Sequence, residues 1–461
     1  MPRSNLSTLC NARFLARPLA VLVAACLAHG VSLAAALPIP PLTFDTTYAA
    51  PTGATIKVSA GGDLRAALNS AQLGDTIVLE AGATFTGPFT LPNKTTGSGW
   101  IYVVSSNLAS LPAPGKRVGP NDAANMPKIV SPGYSNAVTS VNGSHHFRFV
   151  GIEFTPVSGV YVYQVITIGN SDTSPATLAN HIVFDRCYVH PAAGQNARRG
   201  IEIDGAYVAV VDSYLSGFQD TGADSQALWA YNTTGPLKIV DNYLEAAGEN
   251  VMFGGADSKA ASLLPADIEI RNNYFFKPLS LLSTPAITTK NLLEFKAATR
   301  VVASGNTLEN NPVASQDGFA LLITPRNQDG TAPWSMTSDI AITNNVFINV
   351  ASGINLLGMD NHYPNPSLMT TRLLIRNNVL GVTALGGGGG RGFSVTGGGS
   401  NYTIDHNTII DAAATGSELL IAQSTPKVSD FAFTNNLSTQ TAYGFFGSGM
   451  GEGTAPLNGN F

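Results

Sequence analysis

DIEIRNNYF (267–275), DIAITNNVF (339–347), RLLIRNNVL (372–380) and DFAFTNNLS (430–438) share one frame: alternating apolar residues, a polar pair ending in asparagine, then a second apolar step. Weaker copies are HFRFVGIEF (146–154), HIVFDRCYV (181–189), YVAVVDSYL (207–215), LKIVDNYLE (237–245), RVVASGNTL (300–308) and NYTIDHNTI (401–409). Their equivalent position holds Ile152, Cys187, Ser213, Asn242, Asn273, Asn306, Asn345, Asn378, Asn407 and Asn436, at intervals of 26 to 39 residues. A second strand recurs inside the period, usually after a glycine: RGIEIDG (199–205), ENVMFGG (249–255), KNLLEFK (290–296), DGFALLI (317–323), SGINLLG (352–358) and RGFSVTG (391–397). A propeller blade needs four strands in about 40 residues, and a leucine-rich repeat needs its leucine consensus. Two or three short alternating strands per period fit a solenoid, and a parallel β-helix best.

On stacked coils, equivalent residues lie about 4.8 Å apart, one strand spacing. An inward asparagine there can bond backbone at the bend and pass an amide bond to the next coil. It also tolerates the left-handed conformation of a sharp turn. Cys187 occupies this row and is therefore expected to be a small buried hydrophobe rather than a reactive thiol.

The ends read differently. Asp63 N-caps a short helix carrying Leu64, Ala67, Leu68 and Ala71 at helical spacing, and Gly74 stops it. GDTIVLEAG (74–82) and WIYVV (100–104) follow as strands, so the helix caps the opening coil and covers an exposed sheet edge. After YGFFGSG (443–449) only loop-like residues remain, so the far end is expected to be truncated or capped by a partner. The layout is a leader over 1–36, a linker over 37–54, the solenoid over 55–450 and a tail over 451–461.

Charged residues make up only 12% of the 461, while glycine reaches 47. That composition excludes charge-driven disorder, a coiled coil and a helical bundle. Arg3, Arg13 and Arg17 precede the apolar run Pro18–Ala28, and Ala34-Ala35-Ala36 offers a small-residue cleavage site, the pattern of a secretory signal. Val23-Ala24-Ala25-Cys26 also resembles a lipobox, which would leave a lipid anchor at Cys26. The protein is thus expected to be secreted, periplasmic or held at the cell surface. Loss of the leader moves the net charge from −5 to −8 (22 basic against 30 acidic residues) and removes Cys10 and Cys26 from the three cysteines. With Cys187 alone, no internal disulfide forms. An acidic surface argues against nucleic acid, and no later run is long enough for a membrane span. The oligomeric state is not readable.

DLRAALNSAQLGDTIVLEAGATFTG (63–87), followed by the asparagine-bearing coils, resembles the right-handed parallel β-helix proteins of the pectin-lyase-like superfamily, over roughly residues 55 to 450. The resemblance implies an all-β, right-handed parallel β-helix with a short N-terminal capping helix. It also implies an exported protein acting on a polysaccharide, a lyase, a hydrolase or a non-catalytic glycan binder. The cap is most similar to those of alginate and chondroitin lyases. The NTD, DD, GHG and RIK motifs of polygalacturonases and the RxPxxR motif of extracellular pectate lyases are absent. Fold alone therefore does not carry the reaction.

Alternation in the second strand sends Ile201, Val251, Phe253, Phe295, Phe319, Leu321, Ile354 and Leu356 inward. Glu202, Asp204, Asn250, Glu294, Lys296 and Asn355 are left outward, with Asp257, Arg326, Asn327, Asp329, Asp360 and His362 just beyond. β-Elimination from a uronate needs its carboxylate neutralised, a base for the C5 proton and charge stabilisation. Lys296 and Arg326, 30 residues apart, are the expected catalytic pair. Their mutual repulsion would favour an unprotonated lysine. Asn250, Asn327, Asn355 and His362 are the expected substrate-binding residues. Glu249, Asp257 and Glu294 would hold a Ca²⁺ bridging to the substrate carboxylate. Asp204 with Asp220 or Asp224 is the alternative, a glycosidase carboxylate pair. His145 and His146 should point to opposite faces. Trp229, Tyr231, Trp334 and Tyr363 are candidate sugar-stacking rings.

Overall fold

The computed structural model describes residues 35–169, 172–412, 418–423 and 426–453. Residues 1–34 of the leader, with Cys10 and Cys26, lie outside them. Three long sheets dominate. Sheet I has 13 strands, from Thr55–Val58 to Val428–Thr434; sheet II has 12, from Thr84–Thr86 to Leu437–Ser438; sheet III has 13, from Phe89–Leu91 to Gly451–Glu452. Each coil runs through I, II and III in turn, and every pairing between coils is parallel. This is the right-handed parallel β-helix. Among the described strands the one antiparallel pair is terminal: Gly451–Glu452 folds back on Gly444–Ser448, at the start of the tail expected to be loop. Asp63 caps helix Leu64–Ser70 through Ala66 N at 2.9 Å, and Leu64, Ala67 and Leu68 join the core.

Alternation held on sheet III. Ile201, Val251, Phe253, Phe295, Leu321, Ile354 and Leu356 all enter the one long core, where Phe253 stacks on Phe295 at 5.5 Å. Phe319 is buried but stands outside that cluster.

The asparagine row forms an unbroken ladder. The N–H of Cys187 donates to Ser213 Oγ and that of Ser213 to Asn242 Oδ1, both at 2.9 Å, and the pattern continues to Asn407 and Asn436. Each asparagine Nδ2 also reaches back and forward: Asn306 donates to Ile270 O at 3.0 Å and to Asn345 Oδ1 at 2.9 Å. Cys187 is fully buried and free, and burial pushes its thiol up to about 12. One expectation is corrected. The left-handed residue is not the row asparagine but its predecessor: Asn272, Asn344, Asn377 and Asn435 have φ of 53–57°. In the Asn-Asn pair the first residue makes the turn and the second makes the bonds.

The first residue of every repeat but 237–245 is left-handed as well, among them His146, His181, Tyr207, Asp267, Arg300, Asp339, Arg372 and Asn401. That twist breaks the alternation expected for His145 and His146, whose Nδ1 atoms meet at 2.9 Å rather than facing apart. Ring stacking joins His146 to His181 and His181 to Tyr207. Further along the row, Arg300 pairs with Asp267 and Arg372 with Asp339.

The segment read as a linker, together with Ala36 from the end of the expected leader, lies along this row as a strap. Ala36 N donates to Asn401 Oδ1, Ile39 N to Asp339 Oδ1 and Leu42 N to Asp267 Oδ1, at 2.9–3.0 Å. Phe44 then meets Tyr207, Thr46 O accepts from Arg148, and Tyr48 packs on Tyr102. The strap therefore runs against the coil order. Its first three contacts fall on every second coil. Three residues of a polyproline II chain rise about 9 Å, close to two strand spacings of about 9.6 Å. Pro38, Pro40 and Pro41 favour that extended form.

Candidate functional site

Register aligns one outward column on sheet III: Thr167, Glu202, Trp229, Met252, Glu294, Leu322, Asn355 and Ser394 on successive coils. Two clefts open along it.

The first, about 420 Å³, is lined by Glu294, Lys296, Gln316, Thr324, Arg326, Asn327, Asn355, Asp360 and His362, among others. The expected catalytic pair therefore shares one cleft. The coils set it: Lys296 N donates to Phe253 O at 2.7 Å, and Arg326 N donates to Lys296 O at 2.8 Å, so the residues sit on adjacent coils. Gly254 lets the preceding coil pass, since a Cβ there would lie 2.9 Å from Lys296 Cβ and its φ is +92°. Glu294 stands 3.7 Å from Lys296 and is held by Asn291 Nδ2 at 2.9 Å and Thr324 Oγ1 at 3.2 Å. Arg326 has no carboxylate within 4.0 Å among the described residues.

The other expected residues divide. Asn355 lines the cleft with a buried Oδ1 that has no partner, an acceptor available to a sugar hydroxyl. His362 lines it beside Gly330. Asn327 lines it, but its side chain braces the loop, accepting from Ala332 N and donating to Asn365 O. Asn250 does not reach the groove. It is fully buried, donates to Leu244 O and Phe276 O, and accepts from Lys277 Nζ at 3.0 Å. Alternation misplaces it because the corner between sheets II and III closes over the start of this strand. Burial also pushes Lys277 down to about 7.

The three expected metal carboxylates do not converge. Asp257 is turned to the loop, accepting from Thr331 N and Oγ1 at 2.8 Å. Glu249 is fully buried, 3.5 Å from Lys290, and accepts from Gln226 Nε2 at 2.7 Å. Burial, with Glu294 and Asp224 nearby, raises its pKa. No group of three or more His, Cys, Asp or Glu side chains placed to hold a metal ion occurs among the described residues. With Lys296 beside Glu294, Lys290 beside the buried Glu249 and Asp257 turned to the loop, this donor set does not fit Ca²⁺.

The second cleft, about 490 Å³, lies three coils earlier and was missed at its centre. Arg198 and Arg199 line it with Tyr163, Glu202, Trp229 and Tyr231. The Arg199 guanidinium lies 3.7 Å from the Trp229 ring centre, and its Nε donates to Gln226 Oε1 at 2.7 Å. Glu202 accepts from Gln164 Nε2 at 2.7 Å; Asp204 accepts from the N–H groups of Tyr231 and Asn232. Desolvation raises both carboxyls, and the charge of the neighbouring Glu202 raises Asp204 further. Asp204 is thus buried rather than outward, and the carboxyl whose charge acts on it is Glu202 rather than Asp220 or Asp224. Trp229 and Tyr231 stack on one another and are nearly covered, while Tyr363 is 93% exposed. The missed signal was the Arg-Arg pair opening ARRGIEI, two like charges at the start of a buried strand.

No family model matches the chain, and no curated protein matches it. Solved structures do. An alginate lyase from Paenibacillus sp. is 13% identical, with 85% of this chain and 97% of that one covered and a TM-score of 0.40. A mannuronic-acid-specific polysaccharide family 6 lyase from human gut microbiota is 12% identical, covering 84% and 83%, with a TM-score of 0.47. A surface adhesin of Streptococcus pneumoniae is 11% identical, covering 82% and 86%, with a TM-score of 0.45. At these identities the likeness extends to the β-helix alone. No described helix is long and apolar enough to cross a membrane.

Proposed function

We propose that this chain is an exported polysaccharide lyase that cleaves a uronate-containing glycan by β-elimination in the sheet III groove. The observation that carries the reading is the placement of Lys296 beside Arg326 in one cleft, with no carboxylate on the Arg326 guanidinium. Arg326 pairs with the uronate carboxylate, which lowers the cost of negative charge on the adjacent carbon. Lys296 takes the C5 proton, the C4–C5 double bond forms, and the C4–O4 bond breaks with its electron pair leaving on O4. Asn355 accepts from a sugar hydroxyl, and His362 closes the other wall. Lys296 acts in its unprotonated form, with Glu294 3.7 Å away to position it.

The test is absorbance of the unsaturated product on alginate, pectate, chondroitin and neutral glycans, with Ca²⁺ and with chelator, for wild type and Lys296→Ala. A rise with a uronate polymer, lost in the variant, is expected. Saturable binding without product would replace the lyase by a glycan binder, and reducing ends without the chromophore would replace it by a hydrolase. A Ca²⁺ requirement would mean that the ion is held otherwise than by Glu249, Asp257 and Glu294 together.

A further inference from the structure

The described arginines other than Arg65, Arg198, Arg199 and Arg326 each sit on a carboxylate at 2.6–3.3 Å. Arg65 lies elsewhere, bonded to Pro88 O. The remaining three line the sheet III groove, one in the first cleft and two adjacent in the second. Arg199 is only 4% exposed. A guanidinium taken that far out of water with no carboxylate within 4.0 Å among the described residues is costly, and proteins rarely leave one so. Its Nε is held by Gln226 and one face lies on Trp229, which leaves the outer edge of the fork toward the cleft. Arg198 stands beside it over the Tyr163 ring at 4.6 Å, with Nη1 donating to the Tyr163 hydroxyl and Nε to Asp224 O. Glu202, the lining carboxylate, is bonded to Gln164 and makes no ion pair within 4.0 Å with either arginine, although the charge of Arg199 favours its ionised form.

We infer that the Arg198–Arg199 pair is a second carboxylate subsite, which binds a uronate of the same polymer chain that reaches Lys296 and Arg326. The inference rests on the uronate reading above and narrows its substrate to chains whose acidic sugars recur within a few residues. From Glu202 to Glu294 the column climbs three strand spacings, about 14 Å, with Trp229 and Met252 between. An extended pyranose chain rises by roughly one strand spacing per sugar. A hexamer therefore spans both clefts and a trimer does not.

The experiment measures binding of mannuronate, guluronate and galacturonate hexamers and trimers, with a neutral cellohexaose control, in the Lys296→Ala background. Arg198→Gln is compared with Arg198→Lys, which keeps a charge, and far-UV spectra report the fold. The hexamer bound best is expected to lose at least 10-fold in affinity in Arg198→Gln, to recover partly in Arg198→Lys, and to approach the trimer value. Hexamer affinity unchanged by Arg198→Gln, or cellohexaose bound as well as the uronates, overturns the subsite. If the otherwise wild-type enzyme then still forms unsaturated product, the lyase reading survives that loss. A 10-fold loss with no polymer giving product leaves the subsite standing and removes the lyase. Failure of every uronate hexamer to bind overturns both.

Discussion

Sheets I and III are built from the same coils, yet their outer faces treat charge in opposite ways. On sheet I the arginines are neutralised: Arg148 and Arg186 sit on Asp185, Arg300 on Asp267 and Arg372 on Asp339, and the strap lies over that row. On sheet III, Arg198, Arg199 and Arg326 face open clefts with no carboxylate on them. A face closed on itself contributes to stability; a face left with unmatched charge is prepared for something from outside. Substitutions on the two faces should therefore separate, with activity lost on one and stability on the other.

The largest separation is expected at Lys296. Lys296→Ala should lower turnover at least 100-fold, the scale of a lost general base, while leaving the thermal midpoint near wild type. A large fall in the midpoint would show Lys296 to be a structural partner of Glu294. Next comes the asparagine ladder. Asn306→Leu removes an acceptor for Asn273 N and Nδ2 and a donor to Ile270 O. Buried groups left unpaired cost on the order of 3 kcal/mol together, read as a shift in the urea midpoint at unchanged activity per folded molecule. Asp267→Gly keeps the left-handed backbone but removes the bonds to Leu42 N and Arg300. A loss of about 1 kcal/mol is expected for this half-exposed site, with earlier protease cleavage of residues 36–49.

The smallest effect is a pH term on sheet I. Burial, then His181 and His145, pushes His146 down from 6.5 to about 4; Trp100 packs on its other side. The unfolded chain takes up that proton near 6.5 and the folded chain only near 4. Stability from this group is thus complete above 6.5 and falls as the pH drops toward 4. His146→Asn, which tolerates the left-handed backbone, should flatten the thermal midpoint across that window. An unchanged slope would place the acid sensitivity elsewhere.

The repeat was readable because it is periodic. The row from Cys187 to Asn436, the inward side chains of sheet III and the Asp63 cap all follow from spacing and residue type. Sheet II was harder to see, since strands as short as Tyr274–Phe276 carry too few residues for a pattern. Within the site, Lys296, Arg326, Asn355 and His362 reach one cleft because they lie on or shortly after three successive strands of sheet III. Asn250 and Asp204 do not reach the surface, since alternation says nothing of where a corner closes. Asp257 is captured by a loop 72 to 74 residues away, and no local pattern encodes such a contact. Arg198 and Arg199 escaped because a charge pair signifies little until its lack of counter-ions is known.

A solenoid whose coils touch only their neighbours can lose its ends piecemeal, because its stability is a sum of local terms. The strap alters that arithmetic. Ala36, Ile39 and Leu42 bond partners 365, 300 and 225 residues further along the chain, so one short segment answers to many coils at once. Fraying of the last coils releases the strap from sheet I, and the earlier coils then lose their cover. The first residues of this segment to be synthesised are thus among the last to find their places. Such distant closure slows folding, and in return it links the two ends of the column into one cooperative unit.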